Sequence, residues 1–221
     1  MKTTRFIMKP LVIILIPFLL VMTSVRLLIT PVFPQVEYNL PRFPEDEFGF
    51  TKTDRLYWSK LAVEYLVNGE GIGFLADLLF EDGTAIFNQR ELSHMQDVKE
   101  VVQGMIKSWI AIILALILIY MLAYRLKNRK EFWQSFELGG WVTIGLIGLI
   151  IITVLTSFDA LFIGFHRIFF TGDTWLFYTS DTLIRLFPER FWSDAFFGIG
   201  LLSLIGAGLA IFFGKYLVKK Y

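Results

Sequence analysis

The chain has 221 residues, of which 55% are hydrophobic and 19% charged, and its mean hydropathy is +0.59. A soluble domain carries about 25% charged residues, so this deficit, gathered into long apolar runs, places the chain in a membrane. A net charge of +1 offers nucleic acid no bulk attraction, and the absence of cysteine excludes a disulfide framework, a thiolate nucleophile, a Cys-ligated metal and lipidation of the chain itself.

Crossing a hydrocarbon core of roughly 30 Å takes about 20 apolar helical residues. Four runs qualify, at about residues 11–32, 105–124, 141–163 and 195–213. Lys2, Arg5 and Lys9 precede the first run, as in a signal peptide. The apolar stretch continues past Met22 with no small-residue cleavage site, so it reads as an uncleaved anchor. The expected fold is all-α and integral to the membrane: one domain over residues 1–221, four transmembrane helices and a helical extracytoplasmic region between helices 1 and 2.

Orientation follows the positively charged flanks. Lys2, Arg5 and Lys9, then Arg125, Lys127, Arg129 and Lys130, then Lys215, Lys219 and Lys220 all fall on one side of four spans. That side is cytoplasmic, and it holds both termini. Segments 33–104 and 164–194 face outward, and the 13 acidic groups between Glu37 and Glu100 agree with export. Gly206, Ala210 and Gly214 on helix 4, and Gly140, Gly145 and Gly148 on helix 3, are expected to let neighbouring backbones approach. Asp159 is the only acid well inside a span, so no relay of buried carboxylates runs through the bundle.

Within the first outer segment, Pro31, Pro34, Pro41 and Pro44 predict an extended exit from helix 1. Asp54 is expected to cap a helix reaching Val67, whose Tyr57, Leu61 and Tyr65 repeat at core spacing. Residues 72–80 are apolar but too short to span, and are expected to lie in the outer interface. A further helix runs toward span 2, and two capping boxes compete for its start: Asn88 with Glu91, or Ser93 with Gln96. The second choice would put His94 in the first turn, where the helix dipole keeps an imidazole neutral. Glu91 and Asp97, three residues either side, would be placed to orient it.

His94 and His166 are the only two histidines, and both lie near outer span ends. Either is an amphipathic interface anchor, a proton-transfer group or half of a haem or metal site; two ligands alone make a poor zinc site. No serine-nucleophile motif is present, and Ser93 beside His94 reads better as a cap. Arg26, in the outer part of helix 1, either snorkels or serves function. With Arg167 it would hold a carbonyl, phosphate or carboxylate. His94 stands 13 residues before Lys107, roughly 20 Å along a straight helix, so helix 2 must begin early or the loop must fold back.

Two stretches carry a resemblance. Arg90-Glu91-Leu92-Ser93-His94-Met95-x-Asp97-Val98 and Gly164-Phe165-His166-Arg167-x-Phe169-Phe170, followed by Trp175, resemble the bacterial lipoprotein intramolecular transacylase family. The similarity extends to length, span count and motif order. It implies an acyltransferase of the bacterial cytoplasmic membrane, working at the outer leaflet on a diacylglyceryl-modified lipoprotein among membrane lipids. Such enzymes move the sn-2 fatty acyl chain to the amine of the N-terminal cysteine, leaving a lyso-form lipoprotein, with no metal or soluble cofactor. His94 and His166 are then the expected catalytic pair, His94 favoured as base. Arg167, Arg26, Glu91, Asp97, Asp159 and Trp175 are expected to support them or bind substrate. The alternatives are a non-enzymatic assembly partner or transporter subunit, and a bis-His haem or metal-binding membrane protein.

Overall fold

The computed structural model describes residues 2–221, with side chains from Ile7 onward; the Lys2 and Arg5 side chains of the first basic flank lie outside the described residues. Its helices in chain order are α1 (Lys2–Leu28), α2 (Val32–Glu37), α3 (Lys52–Val67), α4 (Gly73–Ala76), α5 (Gln89–Arg125), α6 (Arg129–Phe169), α7 (Thr182–Leu186) and α8 (Glu189–Lys220). Four of them, α1, α5, α6 and α8, are long and apolar enough to cross a membrane. The expected all-α, four-span architecture is the one observed. The chain divides into two compact units.

The first unit takes α1 as far as Arg26, Met105–Leu155 and Phe197–Tyr221. Met8, Val12, Ile16, Leu116, Ala123 and Phe132 are buried within it, while Ile14, Leu118, Leu149 and Phe212 point outward. Large aliphatics face outward because the surrounding solvent is lipid, so cohesion between helices must come from close packing. A Cβ on Gly206 would stand 2.9 Å from Leu20, one on Gly214 2.7 Å from Glu137, and one on Gly140 2.9 Å from the Ala207 carbonyl. These glycines are contact points. Gly145 and Gly148 are not: nothing lies within 4 Å of a Cβ built on either, so only Gly140 of the helix-3 trio does the expected work. Buried Ser24 and Ser203 join by a 3.0 Å hydroxyl bond, and the Trp109 indole donates to Thr23 at 3.0 Å.

The second unit comprises Leu27–Gly104 and Thr156–Phe196. Its core gathers Tyr38, Val63, Tyr65, Leu75, Phe87, Leu92, Met95, Leu186 and Phe191. The cap of α3 is Thr51 rather than Asp54: the Thr51 hydroxyl accepts from the Asp54 amide, and the Asp54 carboxylate accepts back from the Thr51 amide. The exit from α1 is not extended. Residues 32–37 are helical, and Pro34 sits in their first turn, where a missing N–H costs nothing. Residues 72–80 turn most of their apolar side chains to the protein core. Leu75 is fully buried, and Phe74, Ala76, Leu78 and Phe80 pack on the core, because the α3 helix offers them apolar cover.

The helix α5 is continuous over 37 residues, about 55 Å, and carries both the polar stretch around His94 and the apolar run of span 2. Helix α6 is broken at Ser157, whose φ of −162° and ψ of 69° are non-helical. After the break it resumes through residue 169, so His166, in the segment expected to follow span 3, is helical.

Candidate active site

Helix α5 begins with the Asn88 box. The Asn88 side-chain oxygen accepts from the amides of Arg90 and Glu91, each at 3.0 Å, and Glu91 Oε2 accepts from the Asn88 amide at 2.8 Å. His94 therefore sits beyond the first turn, and the dipole argument for its neutrality no longer applies. Burial supplies the neutrality instead. His94 is 8% exposed, and desolvation, followed by repulsion from His166, lowers its pKa from 6.5 to about 4.

His166 is also 8% exposed. Its ring centroid lies 6.1 Å from that of His94, with the two planes 21° apart. The backbone reach that seemed doubtful from sequence is met because both histidines stand on helices that extend past their apolar runs. His166 Nδ1 is 2.8 Å from the Phe162 carbonyl. A carbonyl can only accept, so Nδ1 carries the proton and Nε2 of the neutral ring presents a lone pair. His94 Nδ1 is buried with no hydrogen-bond partner. A buried orphan of this kind points to a partner that arrives with a ligand.

The pair is walled by aromatic rings. Phe170 lies 4.9 Å and Phe177 5.3 Å from His94. Phe162 at 4.2 Å, Trp175 at 4.8 Å and Phe170 at 5.5 Å surround His166. Among the expected supporting residues, Trp175 alone touches an imidazole. Glu91 is 1% exposed, but its oxygens are committed to the backbone: Oε2 to Asn88 and Oε1 to the Leu183 amide at 2.7 Å. It anchors the start of α5 to the start of α7. Asp97 is half-buried and bonds to neither imidazole, while Arg167 and Asp159 are exposed. Arg26 is half-buried at the edge of the first unit. The sequence reading missed Phe162 and Phe177 as site residues, since dense aromatics near a span end look the same whether they meet lipid or an active-site ring.

Several comparisons agree on what this chain is similar to. A family model described as the lipoprotein intramolecular transacylase Lit matches residues 10–192. An uncharacterised protein of Aquifex aeolicus (strain VF5) is 28% identical over 227 residues, covering 98% of this chain and 97% of its own length. The membrane-integral lipoprotein intramolecular transacylase Lit from Bacillus cereus superposes with a TM-score of 0.79 at 21% identity, covering 100% of this chain and 98% of that one. A histidine-to-alanine form of the same enzyme gives a TM-score of 0.74 at 20% identity, covering 99% and 96%. With the family model covering most of its length, the chain belongs to the lipoprotein intramolecular transacylase family, membrane acyltransferases that move the sn-2 acyl chain of a lipoprotein onto its N-terminal cysteine amine.

Proposed function

We propose that His94 and His166 carry the acyl transfer between them, at the outer face of the bacterial cytoplasmic membrane, on a diacylglyceryl-modified lipoprotein whose cysteine amine is free. The single observation behind this reading is the pairing itself: the only two histidines of the chain, 72 residues apart, have stacked rings 6.1 Å apart.

His166 is the base. Its Nε2 takes a proton from the cysteine amine as nitrogen attacks the ester carbonyl, and returns it to the glyceryl oxygen as the carbon–oxygen bond breaks. The Phe162 carbonyl supports this role by holding the tautomer whose Nε2 is free. His94 is the electrophile. Kept neutral by burial, it donates an N–H to the carbonyl oxygen as negative charge builds there. Its unpartnered Nδ1 suits that task. The helix-start position that would favour His94 as the base belongs instead to the residues after Asn88. Nucleophile and ester belong to one molecule, so confinement among Phe170, Phe177 and Trp175 supplies much of the rate by proximity. Orientation rests on the cationic flanks and on the acidic content of residues 37–100.

The test is mass spectrometry of a lipoprotein N-terminal peptide, at matched amounts of purified enzyme. His166→Gln and His94→Gln should each lower turnover by roughly 10²–10⁴-fold, and a substrate acetylated at its amine should keep its sn-2 chain. Near-normal transfer by either variant removes that histidine from the mechanism. Loss of the sn-2 chain from the acetylated substrate would mark a hydrolase.

A further inference from the structure

We propose that Asp181 is a positioning residue for the acyl transfer: by tying residues 177–181 to the first turn of α5, its carboxylate holds the Phe177 ring against His94. The inference rests on the reading in which the two histidines perform the transfer. Asp181 Oδ1 accepts from the Asn88 side-chain amide at 3.0 Å, and Oδ2 accepts from Arg90 at 3.1 Å and from the Tyr178 amide at 2.8 Å. The Asp181 amide donates back to the Tyr178 carbonyl at 3.0 Å, closing the turn that displays Phe177. The Arg90 guanidinium lies 5.0 Å from the Tyr178 ring centre and 5.7 Å from that of Phe177, on the same turn. Phe177 in turn meets the His94 ring edge-on at 5.3 Å. A path of contacts therefore runs from Asp181 through Arg90 to Phe177 and on to the imidazole.

Docking of α7 does not depend on this carboxylate. The Thr182 hydroxyl donates to the Ile86 carbonyl at 2.6 Å, and Glu91 accepts from the Leu183 amide at 2.7 Å; both are buried. The Asp181 side chain is only 12% exposed, whereas that of its Arg90 partner is 41% exposed. On the exposed Arg90 side the charge is screened by solvent and adds little to stability. What the pair contributes is geometry, because it fixes Phe177, an aromatic wall of His94 that no helix carries.

Asp181→Asn keeps the shape and one acceptor but loses the charge and the second acceptor. The expected result is a kcat lowered roughly 10- to 100-fold by misplacement of the ring wall, with KM changed by no more than about twofold and a protein that still folds. Phe177→Leu should fall by a similar factor, and Asp181→Asn should then cost nothing further in the Phe177→Leu background. Arg90→Gln, which spares the Asn88 and Tyr178 contacts, should show a smaller loss of the same kind. Wild-type kcat in Asp181→Asn overturns the proposal. So do losses that multiply with Phe177→Leu, an effect confined to KM, or failure of both Asp181→Asn and Arg90→Gln to fold. His94→Gln and His166→Gln measured alongside separate the two levels: if they are inactive while Asp181→Asn is normal, only the positioning role fails, and if they remain active the proton-transfer reading fails first.

Discussion

Burial gives the site its chemistry at the scale of single residues. An imidazole hidden from water resists protonation, and with its pKa at about 4 His94 stays neutral through the physiological range. The same shift has a sign for stability. Between pH 6.5 and about 4 the unfolded chain takes up a proton at His94 that the folded chain refuses, so this contribution is intact above pH 6.5 and is lost as the pH falls toward 4. His94→Gln should therefore flatten the decline of the detergent-extracted melting temperature in that window and leave it unaltered at pH 8. A slope identical to wild type would mean that the ring is hydrated in the folded protein. Glu37 acts in the opposite direction. Burial first, and then the Asp194 carboxylate beside it, raise its pKa from 4.5 to about 7. Its stabilising contribution is complete below pH 4.5 and is lost as the pH rises through 7, so Glu37→Gln should raise the melting temperature at pH 8 relative to pH 5. Comparing each variant with wild type at every pH separates the two residues.

At the scale of elements, the ends of helices and their contact faces decide where side chains arrive. The sequence offered two equally good starts for α5, and nothing local chooses between Asn88 and Ser93. The choice is tertiary: Glu91 and the Asn88 side chain are drawn into bonds with Leu183 and Asp181, more than 90 residues away. Local pattern cannot encode that partner. Asn88→Ala removes the cap and its link to Asp181 together, and should cost about 1 kcal/mol or somewhat more in chemical or thermal unfolding. Contact faces show the same limit. All three glycines of the helix-3 trio look alike in sequence, yet only Gly140 meets Ile211 at 2.8 Å from a built Cβ. Gly140→Leu should destabilise the extracted protein by about 1–3 kcal/mol through overpacking, whereas Gly145→Leu and Gly148→Leu, with open space around them, should melt close to wild type. Equal effects at all three positions would contradict the packing described.

At the scale of the whole molecule, hydropathy made the membrane spans legible because about 20 apolar residues in a row have few other stable uses. The paired histidines were legible too, being the only two, but their aromatic enclosure was not, since rings that wall an imidazole and rings that anchor in lipid have the same composition. Residues 72–80 misled for a related reason: their apolar side chains need cover, and sequence alone does not say whether lipid or α3 provides it. Orientation is the property still to be measured, and the chain is well suited to the measurement because it has no cysteine to mask. In the orientation proposed from the cationic flanks, Lys130 is cytoplasmic and Glu81 and Ser180 lie outside with the histidines. All three positions are exposed, unlike the neighbouring Asn128, which is fully buried and would report burial in place of sidedness. Single cysteines at Glu81 and Ser180 should react with a membrane-impermeant maleimide on intact cells, and one at Lys130 only after the membrane is opened. Labelling of the Lys130 cysteine on intact cells, with Glu81 and Ser180 protected, would put the imidazoles on the cytoplasmic side. The proposed reaction needs the lipoprotein cysteine, which carries both the amine and the glyceryl ester, to meet the imidazoles at the outer face, so that outcome would overturn the proposed placement of the site.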